Sequence, residues 1–394
     1  MTTADVIVVG LGAHGSSAAC HLARRGLNVI GFDRHRPPHT FGSSHGGSRI
    51  IRQAYSEAPF YVPIMQRSYE LWDDLQKRTG RKVMNITGGI SIGDKRGKGI
   101  TGIQESAETY DLPLDVLDPE QITRRFPMLH PHEYMIGAFD PRAGAIFPEE
   151  AVQAHLDEAI KAGADLRFDE PVIRWRPDRN GGNVQVETKS GTFEAKQLVF
   201  TAGAWLPELV SKLKLPMWIE RQVLFWFEPK ANAEAFLPQN MGNHSWEYEP
   251  GHSMYAQPNY GEGVKIALHH DGASSHPDRL NRLVADSEEK ALREQIERYI
   301  PDLNGKMLNS AVCMYTDTPD LHFLIDFHPG HKNILLMSPC SGHGFKFSAV
   351  MGEIAADLVT EGKSNLDLSQ FGIDRLLTEE SQTSCPPEIR PYNA

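Results

Sequence analysis

The stretch from Asp5 to Asp33 constrains the fold more than any other part of the chain. Asp5-Val-Ile-Val-Val-Gly10 is a short apolar, β-branched run, the pattern of a buried parallel strand. Gly10, Gly12 and Gly15 follow it. A helical stretch over residues 16–25 closes at Gly26, and a second strand, Asn28-Val-Ile-Gly-Phe32, delivers Asp33. Strand, glycine turn, helix, strand and acid together make a βαβ unit that binds dinucleotides. The first glycine permits a tight turn, the second lets the backbone approach a pyrophosphate, and the third packs helix on strand. The helix N-terminus presents free N–H groups to phosphate. Asp33 comes 18 residues after Gly15, near the ~20 expected of a ribose-binding carboxylate. The pattern implies an α/β fold and a dinucleotide, and does not separate FAD from NAD.

At 394 residues the chain suits one large or two interleaved domains with a substantial core. Its composition, 40% hydrophobic and 23% charged, is ordinary for a soluble globular protein. A net charge of −11 argues against a general binder of nucleic acid or anionic membrane, which needs clustered excess Lys and Arg. A small anionic substrate in a locally basic pocket stays open. No apolar run approaches the roughly 20 residues that span a bilayer. Met1 to Asp5 leads straight into a strand, so no signal peptide is expected. Four cysteines (Cys20, Cys313, Cys340 and Cys385) are too few for a disulfide scaffold. The expectation is a cytoplasmic protein.

Residues 37–55 carry Pro, Gly, Ser and His without periodicity. Long irregular loops in compact enzymes are functional or disordered. Arg49-Ile-Ile-Arg52 favours order, because the isoleucines require burial and the arginines require anions; a pair of surface arginines is the alternative. Residues 61–78 read as an amphipathic helix, Gly88-Gly-Ile-Ser-Ile-Gly93 as a strand and 119–126 as a short helix. Residues 148–161 form a helix opened by Pro148, with Gly163 past its end. Asn180-Gly181 signals a turn. Lys196-Gln-Leu-Val-Phe200 predicts a strand returning to the N-terminal sheet, with Gly203 permitting close approach to the dinucleotide.

From 216 to about 309 the texture becomes that of a mostly antiparallel second domain, rich in aromatic residues that belong mainly to core or surface. Lys265 and His269, four apart in an extended run, line one sheet face. A lysine flanked by Val264 and Ile266 is unusual in a core, so a functional role weighs evenly against a structural one. Asn333-Ile-Leu-Leu-Met337, the turn Ser341-Gly-His-Gly-Phe-Lys346 and a helix over 347–361 make a second polar cradle.

Metal catalysis finds no support in the spacing. No Cys-x-x-Cys or His-Glu-x-x-His is present, and His269 and His270, being adjacent, face opposite sides of a strand. No metal is expected. Cys313 with His343 as base would make a nucleophile, but the dinucleotide motif would then go unexplained. Cys20, Cys340 and Cys385 read as buried, inert thiols.

With Gly42-Ser-Ser-His45-Gly-Gly-Ser-Arg49-Ile-Ile-Arg52, Cys313-Met-Tyr-Thr and Ser341-Gly-His-Gly-Phe-Lys346 in view, the chain resembles the monomeric sarcosine oxidase family of flavoprotein amine oxidases over nearly its whole length. That family includes N-methyltryptophan and pipecolate oxidases. The resemblance implies FAD bound covalently through Cys313. It implies cofactor contacts from Gly10, Gly12, Gly15, Asp33, Ser43, His45, Arg49, Gly342, Gly344 and Lys346. It places Arg49 at the active site, Arg52 and Lys346 on the substrate carboxylate, Lys265 as the oxygen-activating cation acting through water, and His269 and Tyr255 beside the substrate amine. These roles agree with the chemistry of the residue types. An arginine fork or a lysine suits a carboxylate, and a fixed cation stabilises superoxide. Gly46-Gly47-Ser48 departs from the Gly-Asp-Thr usual in sarcosine and N-methyltryptophan oxidases. With Asp317-Thr-Pro-Asp320 it leans toward the pipecolate branch. Trp246 and Glu247 fall near the family's side-chain pocket.

The expected architecture is a Rossmann-like FAD-binding domain (1–80, 146–215, 310–375) interleaved with an antiparallel-sheet substrate domain (81–145, 216–309), and a tail over 376–394. The expected activity is oxidation of a secondary amino acid to an imine by O₂, in a monomer with small-molecule partners only. A flavin dehydrogenase and a flavin-binding protein without turnover are the alternatives.

Overall fold

The computed structural model describes residues 2–178 and 182–383; the Asn180-Gly181 turn and Cys385 lie outside the described residues. The strand Thr2–Val9 runs inside an eight-stranded sheet, parallel to Val29–Phe32 on one side and to Gly191–Phe200 on the other. Val6, Ile7 and Val8 are fully buried, as a strand covered on both faces requires. The return strand begins earlier than its apolar stretch suggests. Its first half pairs antiparallel with Val184–Thr188, and its last residues pair parallel with His331–Ser338. Helices Ala13–Arg24, Tyr61–Thr79, Pro148–Lys161 and Ser348–Glu361 cover one face and share one core, including Leu22, Trp72, Leu156 and Ile354. The first and last of these touch closely because position 352 is glycine: a Cβ there would lie 2.2 Å from Ser17 Oγ.

The second sheet has nine strands. Trp218–Phe227, Val264–His269, His252–Gln257 and Asn243–Glu249 follow one another antiparallel, and the last joins Gly89–Asp94 in parallel. The period-2 alternation of side chains sorts this sheet into two chemically distinct faces. Phe225, Phe227, Trp246, Met254, Val264 and Ile266 point into a hydrophobic core closed by Leu292, Ile296 and Tyr299 of the helix Asp286–Tyr299. The other face carries Lys265 opposite Trp226, Tyr255 opposite Ala267, and His269 opposite Ser253.

The strand Met307–Asp317, which holds Cys313, pairs along its length with Trp218–Phe227, placing Cys313 opposite Gln222 and Tyr315 opposite Glu220. The boundary expected at 309/310 therefore cuts through one strand of the antiparallel sheet. The boundary at 145/146 likewise cuts Gly144–Ile146, the middle strand of a small sheet with Arg49–Ile51 and Met84–Ile86. In both cases the hydrogen-bonding partners are distant in sequence, so local pattern carries no sign of them. Among the described residues no helix is long and apolar enough to cross a membrane.

Candidate functional site

A continuous cavity of about 490 Å³ runs from the glycine turn to the polar face of the second sheet. At its first end Gly10, Gly12, Ala13, His14 and Asp33 line it, at the N-terminus of the helix Ala13–Arg24. Gly10 has φ +91, and a Cβ there would sit 2.7 Å from the Thr201 carbonyl oxygen. A Cβ on Gly15 would lie 1.7 Å from Gly10 O, so this glycine packs helix on strand and does not border the cavity. At Gly12 a Cβ would meet only Ser44 Oγ, at 3.5 Å, leaving the backbone open to a ligand. Asp33 is buried and accepts from Leu11 N at 2.7 Å, which ties the end of the second strand to the turn. His14 Nδ1 is buried without a partner. An open glycine turn, an unpartnered buried nitrogen and a cavity leading away from both fit a dinucleotide.

The middle of the cavity is built by Ser43, Arg49, Cys313, Tyr315, Gly342 and Gly344. Arg49 donates to the carbonyls of Ser43, at 2.9 Å, and Ser48, at 2.8 Å, and its Nη2 lies 3.7 Å from Cys313 Sγ. Cys313 is buried against Leu224, Trp226 and Ala267. The turn Ser341–Gly344 needs its glycines. Gly342 has φ +74, and a Cβ on Gly344 would fall 1.6 Å from Pro339 O. His45 is buried with Nε2 unpartnered, and it does not line the cavity. Its short segment turns the ring inward, a direction that a loop without periodicity does not encode.

Lys265 also stands behind the wall. Its Nζ donates to Gly46 O at 2.9 Å and Ser48 O at 2.6 Å. Gly46 and Gly47 reach this arrangement with φ +96 and +76, while their N–H groups donate to Glu149 Oε1 at 2.7 and 3.2 Å. Burial first, and then the Arg49 charge, push the Lys265 ammonium well below its ordinary pKa.

The far end gathers Arg52, Glu57, Tyr255, His269, His343 and Lys346. Arg52 donates to Glu57 at 3.0 Å and Ser56 Oγ at 2.7 Å, and its Nε is buried with no partner. Burial alone would raise the Glu57 carboxyl, but Arg52, His343 and Lys346 hold it well below the usual carboxylate range. Lys346 Nζ donates to His343 O at 2.7 Å and Tyr55 OH at 3.4 Å, and Tyr55 OH lies 2.7 Å from His343 Nδ1. Burial, reinforced by Arg52, pulls Lys346 down to about 7. His269 Nδ1 sits 2.9 Å from Tyr315 OH; burial, then the neighbouring His270, keep it neutral. Burial also pushes Tyr255 up to about 12.

One sequence expectation is corrected here, and two are made more specific. His270 does not face away from His269: with φ +54 it leaves the strand geometry, and the two rings stand 4.4 Å apart. Trp246 borders the cavity, but its ring is fully buried in the core, 4.9 Å from Tyr299; Glu247 and Ser245 occupy the alternate positions. Cys340 lines the cavity, although burial raises its thiol to about 11 and leaves it unreactive. Sequence reasoning missed Glu57 and Tyr315 as site residues. The first stands five residues from Arg52, the second inside the Cys-Met-Tyr-Thr motif, and neither spacing has a periodic signature.

A dinucleotide cradle opening onto a cavity lined by Arg49, Arg52 and Lys346 is the site of a cofactor-dependent enzyme. The model of the family described as DAO, FAD dependent oxidoreductase, matches residues 5–358, and the chain belongs to that family. It is 43% identical to a monomeric sarcosine oxidase of Streptomyces avermitilis over 378 residues, 95% of this chain and 98% of that protein. It is 34% identical to an N-methyl-L-tryptophan oxidase of Escherichia coli O157:H7, over 94% and 99% of the two chains. The solved L-proline dehydrogenase from P. horikoshii superposes with a TM-score of 0.83 at 22% identity, over 95% of this chain and 98% of that one; the likeness is one of fold. The chain is thus an FAD-dependent enzyme, and the residues of the cavity fit that cofactor.

Proposed function

We propose that the chain oxidises a secondary amino acid, N-methyl or cyclic, at the carbon next to nitrogen. The imine formed then hydrolyses or remains cyclic, and O₂ is reduced to H₂O₂. The observation that carries this reading is the pair of half-buried Arg52 and buried Lys346, both bordering the cavity, with Glu57 as the carboxylate partner of Arg52. An arginine with an unpartnered buried Nε beside a lysine near neutrality is a receptor for a carboxylate. A substrate carboxylate would take the place that Glu57 now holds on Arg52. His269, neutral and bonded to Tyr315, would receive the substrate nitrogen, and the surrounding cations would favour the unprotonated amine that the reaction needs. Tyr255 closes the same wall.

The FAD, when bound, supplies the two-electron acceptor and passes its electrons to oxygen. Gly10, Gly12, Asp33, Ser43, Arg49, Gly342 and Gly344 would hold it, with Gly15 packing the turn beneath. Cys313 would be its covalent tether, because the thiol is buried on the cavity wall, with the Arg49 guanidinium 3.7 Å from its Sγ. Lys265, one layer behind the wall, would act on oxygen through a water. We further infer a monomer, as in the relatives so described, working in the cytoplasm on small molecules without nucleic acid or membrane.

The test is anaerobic reduction of the bound flavin by sarcosine, pipecolate, proline, N-methyltryptophan and fructosyl amino acids. Bleaching by at least one, with peroxide formed on readmitting air, is expected. Failure of every secondary amine to bleach the flavin would remove the substrate assignment, and bleaching without peroxide would make the enzyme a dehydrogenase.

A further inference from the structure

Behind the amine-facing wall lies a buried group that the reaction as described does not use. His270 Nδ1 is 3.0 Å from Glu220 Oε2, and the other oxygen of Glu220 accepts from Gln222 Nε2 at 2.6 Å and Gly272 N at 2.9 Å. Asp317 is completely buried, and neither of its oxygens has a hydrogen-bond donor. One polar atom from each of Glu220, His270 and Asp317 falls within 4.8 Å of the others. On the opposite side the His270 ring contacts the rings of His269, 4.4 Å away, and Tyr315, 5.1 Å away. Position 342 must be glycine for this ring to fit, since a Cβ there would come within 2.9 Å of His270 Nε2.

The backbone of His270 is held in the left-handed region, φ +54. Non-glycine residues seldom adopt it, and such outliers persist where the surroundings over-determine them, commonly at functional sites. Here the outlier brings the His270 ring back beside His269, which regular alternation would have placed on the far face.

We propose that His270, held by Glu220 beside the buried Asp317, is a positioning residue for His269: it fixes that imidazole against Tyr315 and sets a positive charge beside it, so that His269 meets the substrate amine uncharged. The proposal rests on the reading of His269 given under the proposed function. The charges of the cluster close without any further ion. Glu220, fed by three donors, is ionised. Against the opposing effect of burial, that carboxylate raises His270 above its ordinary value. Asp317 is lifted to about 8 by burial, and by Glu220 against the pull of His270, so it keeps its proton at neutral pH. Besides these, Tyr315 and Glu57 face His270, while Arg52, Glu57, His343, Tyr315 and Tyr255 face His269.

The holoenzyme labelled with ¹³Cε1-histidine gives a readout independent of turnover, His269 being assigned by loss of its resonance in His269→Asn. In His270→Asn the amide preserves a bond to Glu220, and asparagine tolerates the left-handed backbone. There the His269 protonation midpoint should rise by about one pH unit, and the acid limb of flavin reduction by substrate should move with it. Asp317→Asn copies the protonated acid. It should leave the neutral-pH spectrum unchanged and abolish the inflection that ionisation of Asp317, at about pH 8, imposes on the His270 resonance.

A His269 resonance in His270→Asn that matches the parent from pH 4.5 to 9 would overturn the proposal. Loss of the His270 charge at pH 7 in Asp317→Asn would overturn it too. So would one tightly bound divalent metal per chain that disappears in that variant, because the three side chains would then be its ligands. If the resonances move as stated while no secondary amine bleaches the flavin, the substrate assignment falls and the positioning role stands.

Discussion

Lys346 gives the sharpest quantitative handle on the cavity. Its ammonium sits near pH 7 because burial and Arg52 both oppose the charge. A carboxylate arriving between Arg52 and Lys346 favours the charged form and restores the lysine toward the ordinary value of about 10.4. Binding therefore takes up a proton whenever the free site has lost one. The sign follows directly: affinity is full below about pH 7 and falls as pH rises through the pKa of the free site. The slope is tenfold per unit until the pKa of the bound state is reached. At pH 9, about two units above the free value, the loss is ~100-fold, or ~2.7 kcal/mol.

Acetate is the right probe, having no amine to add a titration of its own, and its binding can be followed through the visible absorption of the flavin at pH 6, 7, 8 and 9. Lys346→Met should bind acetate weakly through Arg52, with no slope above pH 7. An acetate Kd equal at pH 6 and pH 9 in the parent enzyme would refute the argument, because it would mean that Lys346 is charged throughout or does not meet the carboxylate.

Three further outcomes are expected. Cys313→Ser should release the flavin into the supernatant on acid precipitation, whereas the parent keeps it with the protein; flavin retained by the variant would place the tether elsewhere. Lys265→Met should slow reoxidation by O₂ by about 10²–10³, the usual loss when one preorganised electrostatic group is removed, with a much smaller effect on anaerobic reduction; stopped-flow measurement of both half-reactions decides, and equal losses would contradict the oxygen role. Gly15→Ala should fail to hold flavin and should lower the thermal midpoint, because its Cβ would lie 1.7 Å from Gly10 O; a variant that melts with the parent and binds flavin normally would show that the turn can yield.

The parts of this molecule that were legible from sequence are those whose cause is local. The turn from Gly10 to Gly15 announces itself because each glycine answers a steric demand within a few residues, and the helix over Pro148–Lys161 carries its own stop and start. Lys265 and His269 were placed on one face because strand alternation needs no knowledge of the partner strand. What escaped depends on pairings across long separations. That Cys313 stands on the antiparallel sheet follows from its register with Gln222, some ninety positions earlier. Glu57 was passed over because its meaning comes from Arg52, folded back on it by an irregular loop. His270 departs from the pattern for the opposite reason: strand alternation ends at His269, and the backbone turns left-handed one residue later.

The strand Trp218–Phe227 pairs Gln222 with Cys313 on one edge and Trp226 with Lys265 on the other. Four residues of one extended segment, ~13 Å, thus set the interval between the thiol and the amine-bearing side chain. A slip of one residue along that segment would put both out of register with it together. The segment works as a ruler between two groups that never touch. An insertion or deletion between Gln222 and Trp226 should therefore cost flavin attachment and oxygen reactivity in a single step, whereas point substitutions at Cys313 or Lys265 separate the two.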